Sequence, residues 1–235
     1  MSLLIIIPVL NEEKNIQLIY NKINKLKNIK KDILFVDDNS TDKTQSKILS
    51  LKKKNKKIFL LKRNFKMGVG SAHKDGIIWG YKKKYSLIIT MDCDGTHDPA
   101  HIKKMLKLIK NKNFQLISTN RFLKENSLSD WSLWRIALTN VRHILISKML
   151  DMKFDSSGAY RCYNINQIKL EDILKAKNNS YSFFWESMFF LSKKYHVKEI
   201  AINLPGRVSG SSKMRFKDIF EALHYLCSIF FKYRF

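Results

Sequence analysis

A chain of 235 residues is long enough for one sizeable α/β unit with a full core, and no stretch rich in Gly, Pro or Ser divides it. Its 44 Lys and Arg against 20 Asp and Glu give a net charge of +24, which favours an anionic partner: nucleic acid, a lipid headgroup surface or a phosphorylated substrate. Three widely spaced cysteines, Cys93, Cys162 and Cys227, exclude a disulfide framework and suit a reducing cytoplasm, and no apolar run approaches the roughly 20 residues of a membrane span.

The chain opens on Leu3 to Leu10, an apolar run with no basic residues before it that passes straight into Asn11-Glu12-Glu13. That predicts a first strand, not a signal peptide. Ile16, Ile19, Ile23 and Leu26 follow at helical spacing, with Asn11 as the expected N-cap. Ile33 to Val36 predicts a second strand ending in Asp37-Asp38-Asn39-Ser40-Thr41-Asp42, where Asp42 and Gln45 have the spacing of a capping box. The Lys-rich run from Lys52 to Lys57 reads as solvated surface. Ile58 to Leu61 predicts a third strand, Leu87 to Met91 a fourth and Leu116 to Ser118 a fifth, with Asp98 before Pro99 marking a helix start between the last two. This alternation predicts a doubly wound, mostly parallel α/β sheet, in which ligands bind beyond the carboxyl ends of the strands.

Those ends carry the polar clusters. Pro8-Val9-Leu10-Asn11-Glu12 follows the first strand, Asp37-Asp38 the second, and Asp92-Cys93-Asp94-Gly95 the fourth. Capping or an ordinary turn explains each one singly. Three acidic strand ends on one edge repel one another unless a cation or ligand sits among them. Two carboxylates at i and i+2 can converge on one hard divalent ion, a common way to hold a diphosphate.

In order, these clusters have the forms P-x-x-N-E, D-D-x-S and D-x-D, and Asn64, Gly68, Gly70 and Ala72 add N-x-x-x-G-x-G-x-A. With them the chain resembles the inverting GT-A glycosyltransferases of family 2. Asn120-Arg121-Phe122, Asp155-Ser156-Ser157-Gly158-Ala159-Tyr160-Arg161 and Arg207-Val208-Ser209-Gly210-Ser211-Ser212-Lys213 narrow the resemblance to dolichol-phosphate mannosyltransferase-like members, over about residues 3–215. It implies a GT-A nucleotide-diphospho-sugar transferase fold in one domain, 1–235. About 1–120 would bind the nucleotide sugar, and about 121–235, with amphipathic interface helices, would hold the acceptor.

The resemblance also implies roles. Pro8, Glu12 and Asp37 or Asp38 would contact the nucleoside. Asp92, Cys93 and Asp94 would meet the donor diphosphate, with Asp92 and Asp94 on Mg2+ or Mn2+, and Arg207 and Lys213 would clamp the same donor. Arg121, Arg135 and Ser157 would take the acceptor phosphate, and Asp94, Arg121 and Arg207 would carry catalysis. GDP-mannose is the expected donor, with UDP-glucose or a UDP-N-acetylhexosamine as alternatives. The expected acceptor is a polyprenyl or dolichyl phosphate, whose oxygen is already anionic, so no general base is obligatory. A hydroxyl acceptor would need one, and Glu186 is the candidate.

Trp131, Trp134, Leu138, Val141 and Leu145 recur at three- and four-residue spacing among Arg135, Arg142, His143 and Lys148. Such a helix can lie in a headgroup zone or pack on the sheet. Ile219, Phe220, Leu223, Leu226, Ile229 and Phe230 form a second apolar stripe, able to dock on an anionic membrane surface or a membrane-embedded protein. A peripheral protein at the cytoplasmic membrane face is expected. Asp92-Cys93-Asp94-Gly95-Thr96 also matches the D-x-D-G-T nucleophile motif of haloacid dehalogenase-like phosphatases, although that motif normally sits on the first strand. A nucleic-acid-binding role has the charge but no recognisable motif, so no nucleic-acid partner is expected.

Overall fold

A computed structural model describes residues 1–111, 113–206, 208, 209 and 216–234. The apolar runs form β1 (Leu3–Val9), β2 (Asp32–Asp37), β3 (Ile58–Lys62), β4 (Leu87–Thr90) and β5 (Leu116–Asn120), joined by β6 (Arg161–Asn164) and β7 (Val197–Ala201). Their order in one sheet is β3-β2-β1-β4-β6-β5-β7. The pairs among β1 to β4 are parallel, β6 runs antiparallel between β4 and β5, and β7 lies parallel to β5.

Successive side chains of a strand point to opposite faces, and here both faces are covered. Leu3, Ile5 and Ile7 of β1 join one core with Ile16, Ile19 and Ile23 of α1 (Ile16–Asn24), and with α2 (Thr44–Lys54) and α4 (His101–Asn111). Leu4 and Ile6 join the other, built with α3 (Val69–Lys82), α5 (Leu133–Leu150), α7 (Ser182–Ser192) and α8 (Phe216–Arg234), while the short α6 (Leu170–Leu174) adds Ile173. That two-sided burial is why β1, β2 and β4 read as unbroken apolar runs. Each such Ile contributes about 1.5–3 kcal/mol of transfer free energy.

Two helix starts differ from expectation. Asn11 sits at φ +53°, and its side-chain oxygen accepts the Thr41 N–H at 2.8 Å, so it ties the turn after β1 to the turn after β2. The N-cap of α1 is Asn15. Asp42 accepts the Thr44 N–H at 2.9 Å just before α2, but Gln45 turns to Asp37 instead of closing a capping box. Both polar residues serve the strand-end turns.

His73 of α3 is buried against α7, its ring 6.3 Å from Phe183 and 5.0 Å from Phe184. Among the described residues neither ring nitrogen has a hydrogen-bond partner. Burial, reinforced by Arg161, pulls its pKa down from 6.5 to about 3. The folded value lies below the unfolded one, so this group's stability contribution is present above pH 6.5 and is lost as pH falls towards 3. The loss is on the order of 4 kcal/mol. His73→Leu is expected to flatten the decline of the urea midpoint between pH 6.5 and pH 4. Parallel profiles for variant and parent would contradict this.

Candidate active site

The topology gathers the polar segments on one edge. β1, β2 and β4 end there in parallel, and Asp38 N–H bonds Val9 O at 2.9 Å across the first two ends. Because β6 is antiparallel, with Arg161 opposite Thr90 of β4 and Ser118 of β5, the turn 155–160 before it reaches the same edge as Arg121 after β5. A cavity of about 870 Å³ opens at this edge.

The donor-side residues sit as follows. Pro8, Glu12, Asp38, Asp92, Cys93 and Asp94 line the cavity. The Asp92 side chain is 38% exposed. The Asp92 backbone N–H donates to His97 Nδ1 at 2.9 Å. Asp94 is only 4% exposed, with Oδ1 accepting the Thr96 N–H at 3.1 Å and the Thr96 hydroxyl at 2.7 Å. It is a built-in carboxylate, not a surface one. Gly95 at φ +85° lets the chain turn directly behind it, where a Cβ would come within 2.5 Å of Val208. Burial raises the Cys93 thiol well above its ordinary value, and the carboxylates of Glu12, Asp94 and Asp92 reinforce this, so it stays protonated.

Asp37 and Asp38 part company. Asp37 is fully buried outside the cavity lining, bonded by the Ser40 hydroxyl and N–H and by Gln45. It builds the turn after β2, and of the two expected nucleoside contacts Asp38 is the one on the cavity wall. Asp38 accepts Arg63 Nη1 at 2.8 Å, Met67 N–H at 2.9 Å and Gly68 N–H at 3.0 Å, fixing the loop into α3 at the cavity wall.

A second cluster lies across the cavity. Arg121 Nε donates to Asp155 Oδ2 at 2.7 Å, the Ser157 hydroxyl donates to Asp155 Oδ1 at 3.1 Å, and Arg142 Nη2 donates to Ser157 Oγ at 3.0 Å. Burial alone would raise the Asp155 carboxyl, but the charge and hydrogen bonds of Arg121 and the charge of Arg142 outweigh it and hold it below its usual value. Glu199 of β7 accepts Asp155 N–H at 2.8 Å and Asn120 Nδ2 at 2.9 Å, and burial raises its own carboxyl. Arg161, completely buried, donates to Ser156 O and Phe184 O at 2.7 Å each, pinning the 155–158 turn to α7. Arg135 stacks 3.5 Å above the Trp131 ring at the mouth.

Arg207 and Lys213 lie outside the described residues. Their neighbours reach the site: Val208 N–H bonds Asp94 O at 3.0 Å and Asn15 Nδ2 bonds Ser209 O at 3.3 Å. Glu186 does not line the cavity. It is buried, accepts Lys177 N–H at 3.0 Å, Asn178 N–H at 2.9 Å and the Tyr225 hydroxyl at 2.7 Å, and locks α7 to α8. The expected alternative base is thus a structural carboxylate. Arg142 and Thr139 of α5, which line the cavity, and Glu199, which holds the Asp155 backbone, were not assigned to the site from the sequence. Arg142 lies seven residues after Arg135, on the same stripe of α5, which is the one sequence signal that could have found it.

The cavity also has an apolar part, beside polar lining such as Ser180, Ser182 and Asp218. Leu138, Val141 and Leu145 of α5 face Ile219, Leu223 and Leu226 of α8. Outside it, Leu133 (85%), Trp134 (67%) and Phe220 (72%) stay exposed. Among the described residues no helix is long and apolar enough to cross a membrane.

Residues 4–197 match the family model described as Glycosyl transferase family 2. The chain belongs to that family. This glycosyltransferase is 26% identical over 226 residues to the polyprenol monophosphomannose synthase of Mycolicibacterium smegmatis, covering 94% of this chain and 83% of that one. It is 28% identical over 233 residues to the dolichol-phosphate mannosyltransferase of Pyrococcus furiosus, covering 96% and 63%. With the undecaprenyl-phosphate mannosyltransferase of Micrococcus luteus the values are 25% over 225 residues, 95% and 91%. Among solved structures, glucosyl-3-phosphoglycerate synthase from Mycobacterium tuberculosis, in complex with Mn2+, UDP and glucosyl-3-phosphoglycerate, superposes with a TM-score of 0.61 at 13% identity, over 97% of this chain and 80% of that one. The fold is the GT-A fold. The phosphatase reading of Asp92 to Thr96 falls with it, because the motif follows β4 at the centre of a glycosyltransferase sheet.

Proposed function

We propose that this glycosyltransferase moves mannose from GDP-mannose, with inversion, to a polyprenyl or dolichyl phosphate, using Mg2+ or Mn2+ at Asp92 and Asp94. The carrying observation is one cavity with three environments: acidic strand ends, an arginine and serine cluster, and apolar walls from α5 and α8. A donor diphosphate, an acceptor phosphate and a prenyl chain need those three in contact. The names of the three relatives, each a mannose transferase or synthase for a polyprenyl or dolichyl phosphate, support the same reading.

The metal fits the residues present. Among the described residues no group of three or more His, Cys, Asp and Glu gathers as a metal cage. Two carboxylates on a cavity wall are what a Mg2+ site completed by substrate phosphates takes. When bound, the ion neutralises charge growing on the departing nucleoside diphosphate. The chain's own contributions are separate. Thr96 orients Asp94, Pro8, Glu12 and Asp38 wall the nucleoside end, and Arg207 and Lys213 are assigned to the donor phosphates. Arg121, Arg135 and Ser157 hold the acceptor phosphate. Alignment of its anionic oxygen opposite the leaving group supplies the rate without a base, and an attack from that side inverts the anomeric carbon. The exposed apolar residues of α5 and α8, beside Lys148, Lys217 and Lys232, suit peripheral contact with an anionic membrane at the cytoplasmic face.

A thermal-shift panel of GDP-mannose, UDP-glucose and UDP-N-acetylglucosamine, each with and without Mn2+, tests the donor. At a hundred times its Kd a ligand adds about 2.7 kcal/mol, a rise of roughly 5–10 °C for a chain of this size. GDP-mannose with Mn2+ should give the largest rise, and EDTA should abolish it. A larger, metal-independent rise with a UDP-sugar would reject the donor assignment.

A further inference from the structure

We infer that Arg142, on α5, supplies a third cation, beside Arg121 and Arg135, that meets the acceptor phosphate dianion, and that Ser157 aims it. The inference rests on the acceptor reading above and adds a residue to it. Arg142 lines the cavity with Arg121 and Ser157. Asp155 stands between the two guanidiniums, bonded to Arg121 directly and to Arg142 through the Ser157 hydroxyl. One carboxylate thus faces two fixed positive charges, with Arg135 on the same stripe of α5.

A structural role explains this arrangement poorly. Arg142 forms no ion pair among the described residues, and its buried Nε has no hydrogen-bond partner. Burial first, and Arg121 next, bring its pKa down from 12.5 to about 10. One bond to a serine oxygen does not need a guanidinium. A shielded, incompletely bonded cation beside another cation costs stability unless a ligand completes it.

The chemistry that completes it is a phosphate monoester. At neutral pH it carries −1.5 to −2 charges and three acceptor oxygens, and two guanidiniums can meet those oxygens with charge-assisted bonds. A hydroxyl acceptor brings no such charge, so the same pair selects phosphorylated acceptors. Ser157, between Arg142 and Asp155, holds the Arg142 fork towards Arg121 and not towards solvent.

The test compares the parent with Arg142→Met and Arg142→Lys, measuring transfer to undecaprenyl phosphate in detergent micelles, the KM of each substrate, and the melting temperature. Arg142→Met should raise the acceptor KM at least about tenfold. It should leave the donor KM within about twofold, and the melting temperature should stay level or rise, because an apolar side chain relieves the half-buried charge. Arg142→Lys should fall between the two. An acceptor KM within twofold of the parent, or a fall in melting temperature with both KM values raised together, overturns the inference and leaves the acceptor reading standing. A folded parent that glycosylates no polyprenyl phosphate overturns the acceptor reading itself.

Discussion

Asp94→Asn is expected to lower glycosyl transfer about a thousandfold while the melting temperature stays within a few degrees of the parent. The Asn side-chain oxygen still accepts from Thr96 N–H and Oγ1, so the turn after β4 keeps its hydrogen bonds. What disappears is one negative charge facing the cavity. Asp94→Ala is a poorer probe. It removes the acceptor as well and costs about 1–3 kcal/mol by leaving buried donors unmatched. Steady-state rates across a Mn2+ titration check the result. The Asn variant should need far more Mn2+ for any residual transfer, and a variant with parental rate and parental Mn2+ dependence would remove Asp94 from the metal site.

The second large effect concerns the buried ion pair of the other cluster. Arg121→Met should destabilise the fold by about 3 kcal/mol, because Asp155, itself almost fully buried, loses its closest cation. It should also abolish measurable transfer. Asp155→Asn added to Arg121→Met removes the stranded charge, so most of the lost stability should return while transfer does not. That separation distinguishes an acceptor-phosphate residue from a purely structural one. A double variant that regains transfer with its stability would assign Arg121 to the fold alone. The parent pair is also pH-dependent with a defined sign. The folded Asp155 carboxyl lies below its unfolded value of about 3.9, so its contribution is present above that value and is lost as pH falls through the lower folded one.

How far these features were legible in the sequence depends on what each residue buries. β1, β2 and β4 were readable because parallel strands covered on both faces leave an uninterrupted apolar record. β6 was not, since Arg-Cys-Tyr-Asn opens on a charge that is tolerable in the core only because Ser156 O, Phe184 O and Ser187 accept from its guanidinium. Nor was β7, an edge strand whose Lys198 and Glu199 dilute its apolar residues. Asn11 and Asp42 looked like helix caps because the same side chains serve caps and turns, and only the φ of +53° at Asn11 decides between them.

The site divides in the same way. Asp92, Asp94, Asp38, Pro8 and Glu12 lie at strand ends, where local order and sheet topology alone bring them together. Arg121 was legible from its motif, but its partner Asp155 lies 34 positions away and is joined to it only through β6. Arg142 read as one more lipid-facing cation on α5. Its proximity to Ser157 depends on where α5 crosses the 155–158 turn, which periodicity does not record. The pair Asp37-Asp38 shows the opposite limit: two adjacent, identical residues take different jobs because Asp37 is the last residue of β2, bonded within its own turn, whereas Asp38 follows the strand and lines the cavity.

The most direct test of the central claim is the product itself. Purified protein incubated with Mn2+, GDP-mannose and undecaprenyl phosphate should yield, by mass spectrometry, the acceptor plus one hexose, matched one for one by released GDP and absent when EDTA is added. Intact GDP-mannose and unmodified undecaprenyl phosphate under these conditions, with transfer appearing instead to a hydroxyl acceptor or from a UDP-sugar without metal, would contradict it.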